Sequence, residues 1–104
     1  MSGDSPGPQE LAAVEHEARA LVERRRYAQA RSTVSRGLKE FPDSIELQYL
    51  AAFIDVASDR PQQALQDLGA LLSQAPQHYG ARMLYAHLLE GSRQLAEAER
   101  VWID

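Results

Sequence analysis

The stretch Tyr27–Pro42, YAQARSTVSRGLKEFP, predicts one helix that opens on an aromatic residue and stops at a proline. Ala30, Val34 and Leu38 fall on one face at i, i+4 and i+8, and a proline disfavours helix at the residue before it. These marks recur along the chain with a period of 34 in residue number, in the sets Ala18, Ala52, Ala86; Ala30, Ala64, Ala98; Leu38, Leu72; and Pro42, Pro76. A fixed period of this length is typical of stacked helix–turn–helix repeats. The sequence therefore predicts an all-α solenoid of antiparallel helix pairs.

Composition limits the classes of function. The chain has 104 residues, enough for one domain with a modest core, and a formal net charge of −4. An acidic balance argues against general binding to nucleic acid or to an anionic membrane, because both need a basic surface. The absence of cysteine excludes disulfides, thiol catalysis and thiolate zinc sites. No apolar run approaches a membrane span and no hydrophobic segment follows the N-terminus, so we predict a cytoplasmic protein.

Hydrophobic periodicity predicts about three repeats, or six helices, over residues 9–104, behind a flexible polar tail over residues 1–8. The helices are expected at about 9–25, 28–41, 44–57, 61–75, 78–90 and from 94 onward. Gly91 is expected to close the fifth helix in a left-handed cap. Asp43 and Glu46 predict a capping box before the third helix. That third helix is apolar on more than one face, which favours a central position.

The alanine pairs and the prolines together resemble the tetratricopeptide repeat family. Small residues that pack between the two helices of a repeat are matched by Ala18 with Ala30, Ala52 with Ala64, and Ala86 with Ala98. The resemblance covers repeats 11–44, 45–78 and 79–104, the last one truncated, and departs at Pro61, where the family has an aromatic or apolar residue. It implies a right-handed superhelix whose concave groove, lined by the first helix of each repeat, binds an extended or helical peptide.

The resemblance also indicates which residues line the groove. Carried over by repeat position, they are Glu15, Arg19, Tyr49, Phe53, Met83 and His87. The aromatic pair Tyr49 and Phe53, beside Met83, suits an apolar anchor from a partner. Alternatively, both rings pack between adjacent repeats, and helical period alone does not separate these two interpretations. The family's clamp for a chaperone C-terminal carboxylate is absent, since its places hold Glu15, Arg19, Leu50, Gly80 and Leu84.

Residues suited to catalysis or metal binding are few. His16, His78 and His87 lack metal-ligand spacing, and the serines have no nucleophile elbow. There is no glycine-rich phosphate loop. We therefore expect a protein that is not an enzyme and that needs no cofactor or metal.

Two functions of different classes remain. The first is a protein-binding adaptor or scaffold that uses the groove. The second is a structural assembly unit, because Val101, Trp102 and Ile103 give the last repeat an apolar edge, and stacked repeats need a polar cap on the terminal unit. That edge is expected to meet another copy or a following part of a longer chain. The alternative is that Trp102 folds back onto Leu84 and Leu88.

Overall fold

The structure is a computed structural model that describes the backbone of residues 7–103 and the side chains of residues 9–91. Residues 7–103 form five helices: α1 Pro8–Glu23, α2 Tyr27–Glu40, α3 Ile45–Ala57, α4 Pro61–Gln74 and α5 Tyr79–Ile103. Each helix packs against the next, and α1 also contacts α3. These described residues contain no strand. The predicted all-helical fold of adjacent packed helices is confirmed.

The turns inside the first two helix pairs have the same construction at equivalent repeat positions. Arg25 and Asp59 take the left-handed backbone conformation, with φ of 60° and 61°. After each of them, an amide bonds to the carbonyl five residues back, Arg26 to Leu21 at 2.9 Å and Arg60 to Asp55 at 2.8 Å. This Schellman arrangement satisfies the carbonyls that the ends of α1 and α3 would otherwise leave unpaired.

The starts of α3 and α5 are capped at equivalent repeat positions. The Ser44 side chain accepts a hydrogen bond from the Leu47 amide at 3.1 Å. The His78 Nδ1 accepts one from the Ala81 amide at 3.0 Å. The predicted capping box at Asp43 is therefore wrong by one residue, because Ser44 is the N-cap of α3. The repeat period thus extends from the apolar residues to the caps and turns.

Helix α3 is the centre of the molecule, as predicted. It contributes to two hydrophobic clusters, because its apolar residues cover more than one face. The first cluster lies among α1, α2 and α3 and contains Ala18, Ala30, Val34, Leu47, Leu50 and Ile54. The second cluster lies among α3, α4 and α5 and contains Ala52, Leu68, Leu71 and Ala81. The four alanines of the first two predicted pairs are fully buried, which confirms that close helix crossings occur there.

The third repeat differs from the prediction. Residues 79–103 form one continuous helix of 25 residues, so residues 7–103 contain five helices and not six. Gly91 lies two positions before residue 93, the repeat equivalent of the left-handed Arg25 and Asp59, so it does not act as the cap. Ala86 and Ala98 were expected to face each other across a helix pair, but they lie roughly 18 Å apart along one helix axis. Ala86 is accordingly exposed.

Candidate functional site

The six predicted groove residues occupy two repeat positions on three helices. Positions 15, 49 and 83 are equivalent, and so are positions 19, 53 and 87, each set following the repeat period. Within each helix the two residues are four apart, so they share one face. We call the surface that these six residues define on α1, α3 and α5 the α1/α3/α5 surface.

Two polar contacts join α1 to α3 at this surface. Arg19 donates to Glu46 Oε2 from Nη2 at 2.6 Å and from Nε at 3.0 Å. The hydrogen bond and the charge of Glu46 raise the pKa of the Arg19 guanidinium. Ser44 Oγ donates to Glu15 Oε2 at 2.8 Å. Because the Arg19 side chain is 52% exposed, this ion pair contributes little stability by itself.

Tyr49 joins α3 to the start of α5. Its ring lies 5.0 Å from the His78 ring, centroid to centroid, with the planes tilted by 36°. A Cβ added at Gly80 would lie 3.1 Å from the Tyr49 hydroxyl oxygen, so the tyrosine rests directly on the first turn of α5. Tyr49 also packs against the second cluster. It therefore packs between repeats, as in the alternative interpretation, and its contact with a partner remains a prediction.

Phe53, Met83 and His87 are placed differently. Phe53 is half-buried and belongs to neither hydrophobic cluster. Met83 is 55% exposed, and His87 is exposed beside it, one turn further along α5. The structure adds Tyr79, 73% exposed and one turn before Met83, which the sequence interpretation did not include. Its position four residues before Met83 was the signal that could have identified it.

Comparison with protein families found a match over part of the chain. Residues 55–101, from the end of α3 through α4 and most of α5, match the tetratricopeptide repeat family. This match supports a tetratricopeptide repeat assignment for the chain. The family predicted from the alanine and proline spacing is thus confirmed. No curated protein and no solved structure matches the chain.

Tetratricopeptide repeats generally mediate protein–protein interaction, and they typically serve as interaction modules without enzymatic activity. Among the residues that the structure describes, no group of three or more His, Asp or Glu side chains comes together as a metal site. In the same part of the chain, every helix is too short or too polar to cross a bilayer. The predicted assembly edge belongs to the α5 backbone, and the side chains of Val101, Trp102 and Ile103 lie outside the described residues.

Proposed function

We propose that this tetratricopeptide repeat protein binds a partner peptide or helix across the α1/α3/α5 surface, with an apolar partner residue between Phe53 and Met83. The observation that supports this most strongly is the exposure of two large apolar side chains, Tyr79 and Met83, one turn apart on one face of α5. Exposed aromatic and methionine side chains are enriched at binding surfaces, since they bury much apolar area.

The polar residues of the surface have a supporting role in this proposal. Glu15 and Arg19 are held by Ser44 and Glu46, so they form a fixed rim at the α1 end. Tyr49 forms the floor between α3 and α5 through its contact with His78. A surface held in place in this way loses little conformational entropy on binding, which favours affinity.

Site-specific photocrosslinking tests this assignment. A photoreactive phenylalanine analogue is placed at Met83 and, as a matched control, at Leu89, which is 42% exposed on the same helix but on another face. We expect crosslinked partner from position 83 and little from position 89. Equal crosslinking from both positions would contradict the proposal. Once the partner is known, Phe53→Ala and Met83→Ala should weaken binding, since truncated anchors cost about 2 kcal/mol or more.

A second function, assembly with another copy or a following domain, has one observation in its favour. Tyr79, Met83 and Leu89 are all on α5, and they lie on more than one face of it, so a single groove would not cover them. Solution mass as a function of concentration tests this second function. A mass that rises with concentration, together with crosslinks between copies at position 89, would favour assembly. A constant monomer mass would leave partner binding as the better function.

A further inference from the structure

A second concave site lies on the other side of α3. It is a groove of about 340 Å³ between α2 and α4, and it is lined by Leu38, Pro42, Gln48, Ala51, Asp67, Ala70 and Gln74. Ala51 lies two residues from both Tyr49 and Phe53, which puts it about 160° around the helix from each of them. We call this site the α2/α4 groove. Its volume is at the lower end of the range for binding pockets, which suits one side chain or a short peptide.

The groove combines an apolar floor with one carboxylate. Leu38, Ala51 and Ala70 supply aliphatic surface from three different helices. Asp67 is half-buried at the same site, and its Oδ1 accepts one neutral hydrogen bond, from Gln63 Nε2 at 3.2 Å. An apolar wall beside a single anionic group is the complement of a side chain with an aliphatic stem and a cationic end.

The charges around Asp67 are not balanced among the described side chains. Asp55, on α3, is buried to 3% exposure, and Arg31 of α2 lies 3.1 Å from its Oδ1 through Nη1. Arg31 also donates to Ser58 Oγ at 3.4 Å. Among the described side chains, no cation lies within 4.0 Å of Asp67. Arg31 therefore contacts Asp55, and none of the described cationic side chains contacts Asp67.

An aspartate does not recur at the positions equivalent to Asp67 in the other repeats. The equivalent positions, one repeat earlier and one repeat later, hold Thr33 and Val101. Asp55 and Arg31 are likewise unmatched, since their equivalents are Leu21 and Leu65. The repeat pattern therefore does not require this arrangement of charges.

We propose that the α2/α4 groove binds a lysine or arginine side chain of a partner protein, with the stem on Leu38, Ala51 and Ala70 and the cation on Asp67. The net charge of −4 favours the approach of such a segment. The partner's cation supplies the charge that none of the described side chains places beside Asp67. This site is separate from the α1/α3/α5 surface, and neither depends on the other.

The protonation of Asp67 gives the site a pH dependence. Burial, followed by a hydrogen bond to Asp55 and repulsion from its charge, raises the pKa of Asp67 to about 6, while Gln63 and Arg31 act in the opposite direction. A bound cation stabilises the ionised form, so binding lowers this pKa. Affinity should therefore increase as the pH rises through about 6 and level off above it.

An NMR titration of the full chain tests the proposal. The probe is the capped peptide Gly-Ala-Lys-Ala-Gly, and the control peptide carries norleucine in place of lysine, which keeps the stem and removes the charge. We expect the lysine peptide to shift the backbone amide signals of Leu38, Ala70 and Gln74, and the norleucine peptide to leave them unchanged. The lysine peptide should bind less tightly when the pH is lowered below about 6.

Matched variants complete the test. Asp67→Asn keeps the shape of the side chain and should weaken binding about tenfold, the effect of losing one charge-assisted contact. Glu23→Gln removes the same charge from an exposed position on α1 and should bind like the wild type. Absence of shifts at the groove, equal binding of both peptides, or equal losses in the two variants would overturn the proposal.

Discussion

Gly37 shows how a single missing side chain allows three helices to meet. A Cβ at this position would lie 2.7 Å from Val14 Cγ1 and 2.9 Å from Leu47 Cδ1, so α1 and α3 both come close to α2 here. Leu47 is fully buried and has little room to move. The atoms that approach Gly37 belong to the side chains of Val14 and Leu47.

Gly37→Ala should therefore destabilise the protein although alanine is the better helix former. Helix propensity gains about 1 kcal/mol, whereas overpacking costs about 1–3 kcal/mol, so we expect a net loss of about 1 kcal/mol. Gly69→Ala is the matched control, since a Cβ added there meets nothing within 4 Å. This substitution should stabilise α4 by about 1 kcal/mol. Urea unfolding of both variants checks this, and stabilisation by both would show that Gly37 is not a close contact.

Asp67 makes the stability of the protein depend on pH. Its pKa is raised from 3.8 to about 6 in the folded protein, so the folded state holds this proton more tightly than the unfolded state. Stability from this group is therefore lost as the pH rises from about 4 to about 6. Because Asp67 is partly solvated, we expect a loss of about 1 kcal/mol and not the full value of the shift.

Asp67→Asn should remove this loss, because the asparagine amide remains a neutral donor toward Asp55 at every pH. Relative to the wild type, the variant should gain about 1 kcal/mol at about pH 7 and nothing at about pH 4. Chemical denaturation at both pH values measures the difference. A gain of the same size at both would assign the effect to packing and not to titration. Together with the weaker binding expected above, this would mean that the carboxylate is kept for function at a cost in stability.

At the scale of the element, α5 differs most from its equivalents. The helices α1 and α3 each end in a Schellman turn around a left-handed residue, whereas α5 continues through the corresponding residue 93. Residues 94–100, QLAEAER, consist mainly of strong helix formers, so local preference favours continuation. Breaking the helix would require a left-handed residue and a packed partner helix to compensate for it.

Gly91→Ala distinguishes the continuous helix from the predicted helix pair. In a continuous helix, alanine should stabilise α5 by about 1 kcal/mol, and a Cβ at this exposed position meets nothing within 4 Å. At a left-handed cap, the same change would destabilise by about 1 kcal/mol. Amide hydrogen exchange around residue 91, with and without the substitution, reports the sign. Faster amide exchange in the variant would support the predicted helix break at Gly91.

At the scale of the whole molecule, the continuous α5 makes the protein elongated. The Cα radius of gyration is 16.2 Å and the principal extents are 68 × 28 × 19 Å. A compact chain of this length would have a radius of about 13 Å. Small-angle scattering at low concentration should therefore give a radius close to 16.2 Å, raised slightly by the hydration layer. A measured radius as small as that of the compact chain would show that residues 92–103 fold back against residues 79–91 in solution.

The sequence by itself determined the family, the period and the positions of the first four helices. These features follow from local rules, because prolines, caps and a helical apolar stripe act within a few residues and recur in the first two repeats. The alanines at positions 18, 30, 52 and 64 were correctly placed at helix crossings for the same reason. The groove formed by the six residues stays a prediction, and three of them, Glu15, Arg19 and Tyr49, have contacts within the chain.

Only the tertiary structure decided which side chains meet across the repeats. The pairing of Arg31 with Asp55, the unbalanced charge of Asp67 and the stacking of Tyr49 on His78 all depend on residues from different elements, and helical period carries no information about such contacts. The predicted break at Gly91 was wrong, and the break and the uninterrupted helix differ by only about 1 kcal/mol of local preference. A difference of that size is settled by whether a partner helix packs against the turn, and packing is a property of the folded chain.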